Sequence, residues 1–175
     1  MISFNINKSV KKNQPLIKID MTPIDWILEF IAILGFLTFL GTAIYYFPKL
    51  PETIPTHFNG SGQPDGYSNK SSFWIMPGIS VFIYILLTVV NRFPHKFNYL
   101  VTITPQNALK QYTMGTRMIR FLKMIIVWMF LYIDLAIIQS TATEVIGLGL
   151  WFMPVFLGSV FIPLIIYFML SYKQS

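Results

Sequence analysis

The sequence predicts an all-α integral membrane protein with four transmembrane helices, both termini cytoplasmic and one structured extracytoplasmic loop. Three observations carry that expectation. Hydrophobic residues make up 54% of the 175 positions and charged residues 11%, with a mean hydropathy of +0.59, far from the mix of a soluble domain. Apolar runs of membrane length occur four times along the chain. Lysine and arginine gather on one side of those runs.

The same composition excludes several function classes. With no cysteine, the chain has no disulfide, no thiolate nucleophile and no cysteine-ligated metal centre. A formal net charge of +6 would suggest nucleic acid in a soluble protein. Here the basic residues flank apolar runs, where they set orientation and meet anionic lipid, so the bilayer is the expected partner and nucleic acid is not.

The first helix is expected over about 24–47. From Ile27 to Phe47 it is roughly 21 residues, or ~31 Å, the thickness of a hydrocarbon core. Thr22 supplies its cap, Pro23 its first position and Asp25 a carboxylate suited to the helix dipole, while Pro48 ends it. The bulky exit Ile44-Tyr45-Tyr46-Phe47 offers no signal-peptide cleavage site, so the segment is expected to stay as an anchor. Ala32, Gly35, Thr38 and Thr42 form a stripe where another helix could approach.

The second helix is placed at about 73–90, with Ser71 or Ser72 as cap and Pro77 in its first turns. A third at about 118–138 begins with Arg120 and Lys123, whose long side chains can snorkel to the interface, and is interrupted by Asp134. The fourth, about 145–168, holds Pro154, Gly158 and Pro163 and is expected to be kinked, with small residues admitting a neighbouring helix.

Of the thirteen lysines and arginines, all but Lys49 and Lys70 fall in the N-terminal tail, the connection between the second and third helices, or the C-terminal end. The positive-inside rule therefore puts both tails in the cytoplasm and the loop between the first two helices outside. The resulting organisation is a basic tail 1–22, a membrane domain 23–170 with an outer loop 48–72 and a cytoplasmic connection 91–117, and a short tail 171–175. Within the connection, Thr104-Pro105 repeats the cap-plus-proline start. A helix running unbroken from Pro105 to Ile138 would be about 51 Å long, so its first turns would leave the membrane and bring Lys110, Arg117, Arg120 and Lys123 near anionic headgroups.

Residues capable of chemistry crowd into the outer loop, L-P-E-T-I-P-T-H-F-N-G-S-G-Q-P-D-G-Y-S-N-K from Leu50 to Lys70. Pro51, Pro55 and Pro64 restrict the backbone, and Asn59-Gly60, Ser61-Gly62 and Pro64-Asp65-Gly66 are turn sequences, so the loop is expected to be compact. One imidazole and scattered carboxylates fall short of the convergent ligands a metal needs, and no cofactor is expected. A Ser61-His57-Asp65 nucleophile is available in composition but has no strand or elbow to orient it. The candidate ligand-contacting or loop-shaping residues are Pro51, Pro55, His57, Phe58, Asn59, Gly62, Asp65, Gly66 and Lys70. His57 is expected to hydrogen-bond a turn carbonyl or Asp65 and hold the loop closed.

Three acids lie within or beside the spans. Asp25 and Glu29, four apart, share one helix face near the cytoplasmic interface, where they are expected to meet basic residues of the third helix. Asp134 either sits in the outer headgroup region or faces the bundle interior with a function.

The stretch from Tyr45 to Lys70, with its pattern L-P-x-x-I-P-x-H-F-N-x-x-G-x-x-D, resembles the signature of a bacterial membrane domain of unknown function found at the start of SdpI-type immunity proteins. The resemblance extends to the preceding helix, with Asp25 and Glu29, and to N-Y-x-V-x-I-T from Asn98 to Thr104, covering roughly residues 20–130. It implies a multi-pass protein of the bacterial cytoplasmic membrane. It also implies resistance to a secreted peptide and a relay to a cytoplasmic regulator, without established catalytic residues; the further C-terminal helices of the longer relatives are not expected. The function expected is a binding or immunity-type module that recognises an extracytoplasmic peptide through the 50–70 loop. An alternative is a small transporter or membrane enzyme using His57, Asp65 and Asp134, and pairing through the small-residue stripe could give a homo-oligomer.

Overall fold

In the computed structural model, which describes residues 14–142 and 147–173, four long helices dominate. They are α1 (Pro23–Tyr46), α2 (Ile75–Val90), α3 (Ala108–Ala142) and α4 (Phe152–Lys173). Each belongs to a helical stretch long and apolar enough to cross a membrane. The chain is a multi-pass membrane protein by that measure, and its outward-facing apolar side chains, such as Leu37, Phe82 and Ile162, are those a bilayer would cover.

The chain is not purely helical. Residues Thr53–Phe58 and Pro64–Asn69 form strands β1 and β2 of an antiparallel hairpin between α1 and α2. The turn residues of the loop were legible, but its flanking runs carry Pro55, Pro64 and Gly66, which obscure any alternation of apolar and polar positions.

The central element is α3, which packs on α1, α2, α4 and β1. It spans 35 residues, ten positions earlier than the expected start at 118, and at 1.5 Å per residue is about 52 Å long. Its start is closed by Asn107, whose side chain accepts from the Thr104 N–H at 2.9 Å and donates to the Thr102 carbonyl at 3.0 Å.

The beginning of α2 also differs from expectation. A 3-10 turn at Lys70–Trp74 precedes it, capped by Asn69, which accepts from the Ser71 N–H at 2.9 Å, while α2 itself starts after Trp74 with no side-chain cap from a serine. The start of α4 moves from 145 to Phe152, because Gly147 to Trp151 run outside any helix and Gly149 takes φ 77°.

The buried face of α1 is Asp25, Ala32, Gly35, Phe39 and Ala43. Thr38 and Thr42 are off that face, so the stripe is set by the 3- to 4-residue helical period and carries one large ring. At Gly35 an added Cβ would meet the Trp128 ring of α3 at 2.7 Å, so the glycine makes room for that ring. Gly158 serves no such approach, since the nearest atom to its Cβ position belongs to Ile162 of its own helix.

At the hairpin end, Ala43, Leu50, Ile54, Phe73 and Ile137 form one buried cluster. At the other end Ile103, Ala108 and Tyr112 form a second, closed by the stretch preceding α1. There Gln14 donates to the Phe97 carbonyl at 3.1 Å and the Tyr112 hydroxyl to the Pro15 carbonyl at 3.1 Å. Burial in this layer pushes the Tyr99 hydroxyl well above the usual phenol range. The basic tail's Lys8, Lys11 and Lys12 lie outside the described residues.

Candidate functional site: a hairpin over an apolar cavity

The hairpin pairs Thr53 with Asn69, Ile54 with Ser68, Pro55 with Tyr67, His57 with Gly66 and Phe58 with Pro64. Its register shifts on both sides of His57. Pro55 has no N–H to give to the ladder, so an irregularity there is expected, and irregularities re-aim the side chains beside them. The His57 Nδ1 lies 2.5 Å from Asp65 Oδ1, and both side chains are substantially open to solvent. Gly66 makes the approach possible: a Cβ in its place would stand 2.9 Å from the His57 Cβ.

Asn59 organises the tip. Its Oδ1 accepts from the Ser61 N–H at 2.9 Å and the Gln63 N–H at 3.1 Å, while its own N–H donates to the Gln63 carbonyl at 2.9 Å. Gly62 sits at φ 75° with its N–H donating to the Asn59 carbonyl at 2.8 Å. The Gly62 carbonyl accepts from the Leu148 N–H at 2.7 Å, which ties the hairpin tip to the segment leading into α4. At the base, the Lys70 ammonium meets Glu52 at 2.7 Å and its backbone N–H donates to the Glu52 carbonyl at 2.9 Å. Pro51 is exposed beside that base, Pro55 is buried, and Phe58 is half-buried against the apolar cluster.

Beneath the hairpin is a cavity of about 230 Å³. Ile54, Phe58, Phe73, Ile133 and Ile137 contribute apolar walls, and Thr56, His57 and Ser72 contribute polar groups. Among the described residues no group of three or more metal-ligating side chains comes together.

The acids lie elsewhere. Asp25 is 2% exposed at the far end of α1, where its carboxylate accepts from the Thr22 N–H at 2.9 Å and the Thr22 hydroxyl at 2.7 Å. Arg117 donates to the same carboxylate through Nε at 3.1 Å, and Arg120 through Nη1 at 3.4 Å. Glu29 takes the Lys123 ammonium at 2.7 Å, with Arg120 Nε in charge contact at 3.4 Å. Asp134 is fully buried and has no hydrogen-bond or ion-pair partner among the described residues. His57, Asp65 and Asp134 therefore do not make one contacting group.

The sequence offered two places for these cations, Arg117, Arg120 and Lys123 at lipid headgroups or basic residues of the third helix against Asp25 and Glu29, and the structure turns them inward onto the two acids. Lys123 is 1% exposed and donates also to the Thr88 hydroxyl at 3.0 Å. The signal was present in the three-residue spacing of these cations, which matches one helix face opposite the four-residue spacing of Asp25 and Glu29. Thr88 and Ser80 carried no such signal, since a hydroxyl in an apolar run can serve its own helix backbone.

Over 60 residues the chain is 35% identical to an uncharacterized protein of Archaeoglobus fulgidus, a stretch covering 30% of this chain and 33% of that protein. No solved structure matches. Residues 33–81, from the middle of α1 through the hairpin into the first turns of α2, match the family model of a domain of unknown function, DUF1648.

Proposed function

We propose that this multi-pass protein resides in a bacterial cytoplasmic membrane with both termini inside, and recognises an extracytoplasmic peptide through the 50–70 hairpin. The observation that supports this most is the cavity of about 230 Å³ under β1, apolar in its walls and edged by Thr56, His57 and Ser72. Its size suits one bulky apolar side chain, and its polar groups suit the peptide backbone beside that side chain. The free edge of β2 offers further backbone donors and acceptors to an extended segment. The lysine and arginine distribution supports the orientation. The resemblance of the Tyr45 to Lys70 stretch to SdpI-type immunity proteins supports a peptide toxin as the ligand class, and a cytoplasmic regulator as a second partner.

The test is genetic. A deletion strain is challenged with each small secreted peptide encoded beside the gene, then complemented with wild type or with Thr56→Trp, which fills the cavity edge. Increased sensitivity on deletion, restored by wild type and not by Thr56→Trp, supports the reading. Unchanged sensitivity of the deletion strain to every such peptide removes it.

A further inference from the structure

Among the described acids Asp134 stands apart. Asp20, Asp25, Glu29, Glu52 and Asp65 each meet a basic side chain, whereas both oxygens of Asp134 are buried without a partner among the described residues. An ionised carboxylate in such surroundings costs several kcal/mol unless a positive charge joins it. A second buried group without a partner, the Ser80 hydroxyl, lies on α2.

The register of the helices brings the two to similar depth. Lys123 of α3 donates to Thr88 of α2, so these residues are level. The helices run in opposite directions, and counting at 1.5 Å per residue places Ser80 about 12 Å and Asp134 about 16 Å further toward the hairpin, less than one turn apart. Ser80 and Thr88 are eight residues apart on one face of α2, and Asp134 shares the buried face of α3 with Lys123, Val127 and Leu131.

No described side chain supplies the missing charge. At this depth α1 presents Phe39 and Ala43, α2 presents Ser80 with Tyr84 one turn beyond, and α4 has no charged residue before Lys173. On α3 the next cation is Lys123, about 16 Å away along the helix and engaged with Glu29. From the hairpin, His57 lines the cavity whose walls include Ile133 and Ile137, the residues that bracket Asp134.

We infer that Asp134, with Ser80, forms an intramembrane binding site for one small monovalent cation, taken up as a proton or as sodium from the side of the hairpin cavity. The carboxyl supplies charge compensation, and the hydroxyl supplies a second oxygen ligand to sodium or a hydrogen-bond partner to the protonated acid. This site stands whether or not the hairpin binds a peptide.

Infrared difference spectra of the purified full-length protein in lipid nanodiscs test it, recorded at pH 7 in potassium and in sodium salts, for wild type and Asp134→Asn. A carboxylic-acid C=O band lost in Asp134→Asn and insensitive to sodium identifies a proton site. A band that sodium abolishes, or an Asp134 carboxylate band that shifts only with sodium, identifies a sodium site. Loss of only a carboxylate band that is the same in both salts overturns the inference, since it reports an ionised group reached by water. Ser80→Ala is expected to shift whichever band is seen, and an unshifted band overturns the role of Ser80. If Asp134→Asn does not fold, carbon-13 aspartate in the wild-type protein carries the same readout: a carboxylic-acid C=O band is assigned to Asp134 because Asp20, Asp25 and Asp65 are each ion-paired, and the absence of both that band and any sodium-dependent carboxylate band overturns the inference.

Discussion

The Lys123 ammonium donates to the Glu29 carboxylate at 2.7 Å, and from the same nitrogen to the Thr88 hydroxyl at 3.0 Å. One buried cation on α3 thereby holds α1 and α2 together at the hairpin-side edge of the cluster formed by Asp25, Glu29, Arg117 and Arg120. The Tyr84 ring, 4.7 Å from the same nitrogen, adds a third neighbour.

Removing one member of that pair should be costly. Lys123→Met leaves Glu29 with only the Arg120 contact and is expected to destabilise by about 3–5 kcal/mol, whereas Lys123→Met with Glu29→Met should cost distinctly less. Thermal unfolding in mild detergent, compared across the double-mutant cycle, measures the coupling. A loss in the double variant equal to the sum of the losses in Lys123→Met and Glu29→Met would show that the two side chains do not couple.

The His57–Asp65 pair should behave differently, because it is open to solvent. Asp65→Asn is expected to lower global stability by less than ~1 kcal/mol. Its effect should be local, with faster hydrogen exchange of the amides of β1 and β2 and no change in α3. Exchange that is unaltered in the hairpin would show that the pair does not hold the strands together.

At Gly62 one added methyl group acts on the hairpin in two ways. At φ 75° a non-glycine residue is strained by roughly 1–2 kcal/mol. A Cβ there would also meet the Gly149 backbone at 2.6 Å. Gly62→Ala should therefore break the bond between the Leu148 N–H and the Gly62 carbonyl, and limited proteolysis should begin to cut between α3 and α4. Gly60→Ala, with nothing near its Cβ position, serves as the control.

Orientation can be read directly, since the chain has no cysteine of its own. A cysteine in place of the exposed Ser61 is expected to react with an impermeant thiol reagent on intact cells, and one in place of the exposed Lys110 only after lysis. The reverse pattern would invert the topology.

The sequence by itself determined the solvent and the number of long helices. Apolar runs of membrane length are summed over many residues, so errors at single positions such as Asp134 do not erase them. It also located the hairpin's chemistry, because proline and glycine act on their own backbone and need no distant partner. Helix-face spacing pointed Asp25 and Glu29 at basic residues of the third helix, but which cation meets which acid is a tertiary outcome. Arg117 and Asp25 are 92 positions apart, and the three-residue spacing of the cations suits an inward face without excluding side chains that snorkel to a headgroup. Likewise, the strands required pairing across a turn with Pro55 and Gly66 breaking their pattern, and the isolation of Asp134 is visible only when every neighbouring helix face is known. Long-range contact among three helices set these outcomes, and a linear chain records such contacts only as scattered residues.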